Sequence, residues 1–324
     1  MQTTYRDLCS LLAGIYDNGE ARAIVRLVLE TKFDMSYTDI LCDGLQQLSD
    51  ADAKRLMDIM QQLAEGMPVQ YVLGEAEFCG RMYKVKPGVL IPRPETAELA
   101  IAVSEEMKDK QPAAILDVCT GSGCIATTIA LECPKAVVEA WDISPEALQV
   151  AKENAAKLGA KVNVVYQDAL NIPHNSERWT AIVSNPPYVL DSERKDMSPH
   201  VLNHEPSLAL FVPDADPLRF YTAIARYAIK ALVEGGLLYF EINPLCAKMV
   251  EEMLIATGFK DVAIVDDQYG KHAYAEQQRT LPARRYRDPE CRQEAQSQND
   301  HKCSDIHRQT HLLNTDMIDP TEEE

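Results

Sequence analysis

Apolar positions in the first 70 residues recur at helical spacing. Leu8, Leu11, Leu12, Ile15 and Tyr16 form one stripe over 4–16, and Ile24, Val25, Leu27, Val28 and Leu29 a second, with Asn18 as its cap. Residues 38–48 and 52–65 repeat the pattern; Ser49 or Asp50 starts the last helix, and Gly66 and Pro68 stop it. Residues 1–70 therefore predict a small helical bundle with no chemistry of its own, suited to packing and to docking a partner. Over 71–93 the period changes. Glu77 to Val85 alternates around Gly80 as a hairpin does, Pro87, Pro92 and Pro94 punctuate the chain, and a helix starts at Pro94.

From 112 to 276 short apolar runs alternate with helical stretches. The runs are 113–118, 136–141, 161–167, 180–184, 236–241 and 262–266. Helices are predicted over 123–132, from Ser144-Pro145-Glu146 onward, over 217–232 and over 244–257. Continuous apolar runs, rather than alternating ones, mean strands covered on both faces, and the helices between them mean βαβ units. The expectation is an α/β domain over 94–279 built on a mostly parallel sheet. The polar, aperiodic residues 280–324 are expected to be disordered.

Composition narrows the function. The 324 residues carry 32 basic and 50 acidic side chains, a formal charge of −18. Binding duplex nucleic acid through its phosphates needs a basic face, so a protein or small-molecule partner fits better. No apolar run approaches the ~18 residues of a spanning helix, and the N-terminus carries acids early and lacks the basic region and small-residue cleavage site of a signal peptide. The nine cysteines are odd in number and scattered; Cys9, Cys42, Cys124 and Cys246 lie in apolar stretches. That pattern predicts reduced core thiols and a cytoplasmic protein. His301, Cys303, His307 and His311 include a pair four apart, but a solvated tail accounts for them and no metal site is expected.

The first run of the α/β region ends in Asp117-Val118-Cys119-Thr120-Gly121-Ser122-Gly123 and opens a helix. Ligands of open α/β sheets lie at the carboxyl ends of the strands, and Gly121 and Gly123 allow close backbone approach. Position 126 is alanine, so the dinucleotide fingerprint is absent, and no Gly-Lys-Ser/Thr follows to cradle phosphates. A ligand without phosphate fits this loop, and S-adenosylmethionine is one. Asp142 ends the second run, placed to accept both ribose hydroxyls, and Asp168 ends the third, placed to meet an adenine amine. Each acid alone reads equally well as a cap; all three at strand ends point to a site.

Asn185-Pro186-Pro187-Tyr188 follows the fourth run directly. Proline stops the ladder and stiffens the turn. The bland reading is a rigid turn; the functional one is a pocket for a planar amino group. An amide or aromatic amine nitrogen is a poor nucleophile. The Asn185 oxygen and the Pro186 carbonyl can accept its two N–H groups, building negative potential where positive charge develops. Tyr188 offers a flat face for stacking.

These residues resemble the protein-(glutamine-N5) methyltransferase family, the PrmC/HemK group. The similarity extends to Pro68-Val69-Gln70-Tyr71-Val72-Leu73-Gly74, Phe78-Cys79-Gly80, Val89-Leu90-Ile91-Pro92-Arg93-Pro94-Glu95-Thr96 and His204-Glu205-Pro206-Ser207-Leu208-Ala209-Leu210, and so to nearly the whole chain up to about residue 276. The resemblance implies a class I S-adenosylmethionine-dependent methyltransferase fold, Rossmann-like with a seven-stranded sheet and a final antiparallel strand, behind a helical N-terminal domain. It implies methyl transfer to the glutamine amide of the Gly-Gly-Gln loop of class-1 peptide chain release factors. By the same resemblance the donor meets Cys119, Thr120, Gly121, Ser122, Gly123, Asp142, Asp168, Ala169 and Asn185, and Asn185, Pro186, Pro187 and Tyr188 hold the amide. Two departures stand out. Cys119 occupies a usual glycine position, which a negative φ would accommodate, and Asn243 follows Glu241-Ile242 where glycine is typical.

A nucleic-acid adenine or cytosine N-methyltransferase would use the same pocket on a flipped base. It should carry a basic recognition domain, yet residues 1–70 hold six basic side chains against eleven acidic ones. A non-catalytic binding protein has no need of the intact Asn185–Tyr188 turn.

Overall fold

The computed structural model describes residues 3–42, 44–110, 112–173, 178–266 and 272–278. The chain divides into two compact units between Leu73 and Gly74. His301, Cys303, His307 and His311 lie outside the described residues.

The first unit contains α1 (Tyr5–Leu12), α2 (Asn18–Phe33), α3 (Tyr37–Leu41), α4 (Asp50–Ala64) and α5 (Val69–Leu73). Thr4, Asp17, Ser36 and Ser49 cap the first four, each accepting the N–H three residues on. At α2 the cap is Asp17 rather than the expected Asn18. Asp17 has extended backbone (φ −66°, ψ 167°) and accepts from Glu20 N, so Asn18 is the first helical residue. Leu8, Leu12, Val25, Val28, Leu29, Met60 and Leu63 are wholly buried in one core. Each such side chain stabilises the unit by roughly 1.5–3 kcal/mol.

The second unit opens with a hairpin, β1 (Glu75–Phe78) and β2 (Arg81–Lys84), whose tip Cys79-Gly80 has positive φ at both residues. This backbone matches the twist of paired strands. Then come α6 (Pro94–Lys108), β3 (Ala114–Val118), α7 (Cys124–Glu132), β4 (Val137–Asp142), α8 (Pro145–Leu158), β5 (Val162–Tyr166) and β6 (Trp179–Ser184). Short elements follow: β7 (Val189–Leu190), α9 (Pro199–His204), α10 (Ser207–Leu210) and β8 (Phe211–Val212). The unit closes with α11 (Arg219–Ala231), β9 (Leu232–Glu241), α12 (Ala247–Thr257), β10 (Lys260–Asp266) and β11 (His272–Gln278).

One sheet runs in the order β10-β11-β9-β6-β3-β4-β5. The five strands from β9 to β5 are parallel, and β11 is antiparallel to both of its neighbours. Successive residues of β3 face opposite cores. Ile115 packs with α6 and α7 residues such as Leu99 and Ile125, and Leu116 with α11 and α12 residues such as Ile224 and Val250. Burial on both faces is why β3 and β6, at the centre, read as nearly continuous apolar runs. The chain leaves β3 toward β4 and later returns to its other side as β6. The carboxyl end of β3 is therefore the switch point, where a ligand crevice forms.

Cysteine burial differs from expectation at one position. Cys124 and Cys246 are buried and Cys9 half-buried, but Cys42 is exposed. It caps the five-residue helix α3, which turns only Ile40 inward.

Candidate active site

The loop after β3 is built from below by Asp117. This carboxylate is fully buried; its Oδ2 accepts from Thr120 Oγ1 (2.5 Å) and from Ala126 N (3.2 Å), while Oδ1 has no partner. Burial pushes its pKa up to about 7, the Thr120 and Ala126 hydrogen bonds oppose the rise, and the Asp142 charge adds to it. Thr120 N also donates to Trp141 O (2.9 Å), stitching the loop to β4.

Cys119 lacks the negative φ that would accommodate it at this position. Its φ is +63°, the left-handed region, which costs a residue with a Cβ about 1–2 kcal/mol. Gly121 has φ +56°, and a Cβ there would meet no atom within 4 Å. Gly123 has φ +78°, and a Cβ there would lie 2.9 Å from Ala151 Cβ on α8. Its bare backbone thus serves packing against α8 rather than approach to a ligand. Asn154 of α8, wholly buried, holds the loop from the same side by donating to Ser122 O (2.8 Å).

A cavity of about 200 Å³ opens beside this loop. Cys119 and Gly121 line it, whereas Thr120, Ser122 and Gly123 stand behind the wall and shape it. Asp142 and Asp168 both line it. Asp142 Oδ2 accepts from Gly121 N and Oδ1 from Ser144 N, each at 2.8 Å. A carboxylate has about four lone-pair sites, so with the Ile143 N–H also facing it some capacity remains for a ligand. Burial raises the Asp142 pKa, and these backbone N–H groups lower it. Asp168 Oδ1 accepts from Leu170 N (2.8 Å). Ile143, Ala169, Leu170 and Phe220 give the cavity an apolar wall.

Asn185 and Pro187 line the same cavity; Pro186 is buried and Tyr188 half-buried beyond it. The turn sits there because Ser184 pairs with Val118 across β6 and β3, and Ser184 Oγ donates to Val118 O (2.6 Å). Asn185 Nδ2 donates to Thr96 Oγ1 (3.1 Å). Tyr188 is anchored at both ends. Its hydroxyl donates to Glu241 Oε1 (2.9 Å), and its carbonyl accepts from Asn243 Nδ2 (3.1 Å). The negative Glu241 and then burial hold the Tyr188 pKa well above the usual phenol range.

Several residues at the site carry no signal in periodicity or strand position. Gly88, Val89 and Leu90 line the cavity on one side and Pro206, Leu208 and Ala209 on another. Their stretches, around Val89–Thr96 and His204–Leu210, stand out in the sequence only by resemblance. Asn243 is buried and uses every polar atom, donating also to Glu193 Oε2 (2.7 Å) and accepting from Leu245 N (2.9 Å). The departure from glycine is thus built into the support of Tyr188. Among the described residues, no group of three or more His, Cys, Asp or Glu is placed to hold a metal.

A crevice at the switch point of a parallel sheet, with a carboxylate to spare and no phosphate cradle, marks an S-adenosylmethionine-dependent methyltransferase of the α/β class. The comparisons agree. Residues 100–205 match the Methyltransferase small domain, and residues 5–74 the PrmC N-terminal domain. The release factor glutamine methyltransferase of Bacteroides thetaiotaomicron is 42% identical over 261 residues, covering 80% of this chain and 93% of that protein. Its counterpart in Flavobacterium psychrophilum is 37% identical, covering 80% and 92%, and that in Neisseria gonorrhoeae 38%, covering 76% and 89%. The chain belongs to the release factor glutamine methyltransferase family.

Proposed function

We propose that this protein transfers a methyl group from S-adenosylmethionine to the side-chain amide nitrogen of the glutamine in the Gly-Gly-Gln loop of class-1 peptide chain release factors. The observation that carries the reading is the orientation of Asn185. Its amide nitrogen is tied to Thr96, so its oxygen remains to accept an N–H at the wall of the cavity that Asp142 also lines. When bound, S-adenosylmethionine supplies a methyl group made electrophilic by its positively charged sulfur.

The chain's own residues bind and aim. The spare lone pairs of Asp142 take the ribose hydroxyls, Asp168 meets the adenine amine, and Ala169 with its apolar neighbours covers the base. Cys119 and Gly121 face the donor, while Thr120, Ser122 and Gly123 keep the loop in shape. The Asn185 oxygen and the Pro186 carbonyl accept the two amide N–H groups of the substrate glutamine and stabilise the charge that develops on its nitrogen. Pro187 closes the pocket, and the Tyr188 ring, steadied by Glu241 and Asn243, flanks the amide plane. Transfer then rests on in-line positioning, with neither a covalent nucleophile nor a metal assigned a part. A release-factor substrate places the reaction in the cytoplasm and requires no direct contact with nucleic acid. No helix among the described residues is long and apolar enough to cross a membrane.

The test is methyl transfer from labelled donor to a release factor, to its Gln→Ala loop variant and to duplex DNA. Label should appear on the intact loop alone. Asn185→Ala should abolish turnover while weakening donor affinity only modestly. Labelling of DNA, or of the Gln→Ala variant equally, would overturn the assignment.

A further inference from the structure

An asparagine amide presents an acceptor at one end and a donor at the other, and a half-turn exchanges them. A pocket for a substrate NH2 works only if the oxygen faces it. What decides the orientation is therefore part of the mechanism, and the structure contains a chain of groups that decides it.

Asn185 Nδ2 donates to Thr96 Oγ1 (3.1 Å), so the Thr96 hydroxyl must send its own hydrogen elsewhere. Thr96 is buried at the start of α6, beside the Glu241 carboxylate at the end of β9. Glu241 is itself buried; Oε1 takes the Tyr188 hydroxyl (2.9 Å), and Oε2 has no hydrogen-bond partner of good geometry. A buried carboxylate oxygen left open is costly unless a nearby donor turns toward it. We propose that Glu241 fixes the orientation of the Asn185 amide by drawing the Thr96 hydroxyl hydrogen to Oε2, and so acts as a positioning residue for the transfer. The proposal rests on the methyltransferase reading above and adds to it the group that sets the acceptor.

The wiring has a polarity. With Glu241 ionised, Thr96 and Tyr188 both donate to it, the Thr96 lone pairs face Asn185 Nδ2, and the Asn185 oxygen is turned to the substrate. With Glu241 protonated, its O–H can occupy Thr96 Oγ1, and the Thr96 hydrogen is released to point at Asn185, which favours the reversed amide. Burial raises the Glu241 pKa from 4.5 to about 7, with the Thr96 and Tyr188 hydrogen bonds opposing, so this change falls in the neutral range. The other charged and titratable groups around it are Glu95, which raises that pKa, Arg93, which lowers it, and Tyr221 of α11, whose hydroxyl donates to the Glu241 carbonyl (3.1 Å).

Five variants and one spectroscopic signal test this. In the wild type, kcat should rise with pH through about 7, and the Asn185 side-chain NH2 resonances should shift with the same midpoint. Asn185→Ala identifies those resonances. Glu241→Gln should abolish both pH dependences. Glu241→Met, close in shape and apolar, leaves the Tyr188 and Thr96 hydroxyls without their acceptor, so it should fold with a lowered melting temperature, each orphaned donor adding to the cost. Its kcat should fall on the order of tenfold to a hundredfold, as when one transition-state hydrogen bond is lost, with KM for the donor unchanged. Thr96→Val should show the same loss, and Thr96→Ser should restore it. An Asn185 signal insensitive to pH, or Glu241→Met with full kcat, would sink the inference. The resonance readout needs no methyl acceptor, so it stands or falls separately from the identity of the substrate.

Discussion

Glu205 pairs with Arg93 across 112 residues of sequence, and its second oxygen accepts from Ile91 N (3.3 Å). Its side chain is 1% exposed, against 33% for Arg93. The pair ties two stretches that each contribute to the cavity wall: Val89 and Leu90 precede Arg93, and Pro206, Leu208 and Ala209 follow Glu205. The pair therefore holds two parts of the cavity wall together.

Removing that tie should be felt in binding before stability. Glu205→Ala leaves Arg93 free to reach water and orphans only the Ile91 N–H, a cost of about 1–3 kcal/mol. We expect S-adenosylhomocysteine affinity to fall about tenfold, which is ~1.4 kcal/mol, with Glu205→Gln closer to the wild type. Calorimetric titration of the two variants checks this, and equal affinities would refute it.

The two loop glycines should fail in different ways. Gly123→Ala combines a left-handed backbone with a methyl 2.9 Å from Ala151 Cβ, so it should destabilise by about 2–4 kcal/mol. Gly121→Ala meets no atom and should lose only about 1–2 kcal/mol from its backbone, but its methyl enters the ligand space and should weaken donor binding. Urea unfolding paired with ligand titration separates the two effects; the same rank order in both would contradict it.

Cysteine labelling should follow exposure and charge. Cys42 is exposed, whereas burial and then the neighbouring carboxylates Asp142 and Asp117 push the Cys119 thiol well up. Only the thiolate reacts with alkylating reagents. Of the seven cysteines described, Cys42 should label first at pH 7.5, and Cys119 only on unfolding, although it lies on the cavity wall. Peptide mapping after timed iodoacetamide exposure reads the order.

Stability should decline between about pH 4 and 7, in part because of Asp117. Its pKa is raised from 3.8 to about 7 by burial, so across that window the native state holds a proton that the unfolded chain has lost. The penalty is absent below the unfolded pKa and complete above the folded one, reaching on the order of 4 kcal/mol. Asp117→Asn keeps an acceptor for Thr120 and Ala126 and carries no charge. It should flatten the pH dependence and gain on the wild type most at pH 8, measured as urea midpoints from pH 5 to 8. A variant losing ground toward pH 8 would show the sign to be wrong.

The central parallel strands β3 and β6 were legible because burial on both faces keeps polar residues few, as in Ile115-Leu116 and Ala181-Ile182-Val183. Ser144-Pro145 marked its helix because cap and first turn are local chemistry. Local chemistry also has limits. Asp17 and Asn18 are equivalent caps on paper, and only the backbone angles choose between them. The positive φ of Cys119 has no trace in its side-chain type. The two-residue strands β7 and β8 are too short to carry a period and exist because Val189 and Leu190 pair with Phe211 and Val212. In the site, Asp142, Asp168 and Asn185 were visible as polar residues ending apolar runs. Glu241 ends the run 236–241 in the same way, but nothing links it to Tyr188, 53 residues away; the ties of Thr96 to Asn185 and of Asn243 to Tyr188, 89 and 55 residues apart, are equally silent because no spacing announces such wiring.

Val118 and Ser184 sit opposite each other on adjacent parallel strands, 66 residues apart in sequence. Both turns that face the cavity hang from this one rung. A nascent chain that has emerged only as far as β5 owns the first turn and lacks the second, and two polypeptides cut between them regain a working pair only by rejoining this ladder. Competence therefore arrives only after residues 66 apart have both left the ribosome and paired, and long-range pairing of this kind is slow to close.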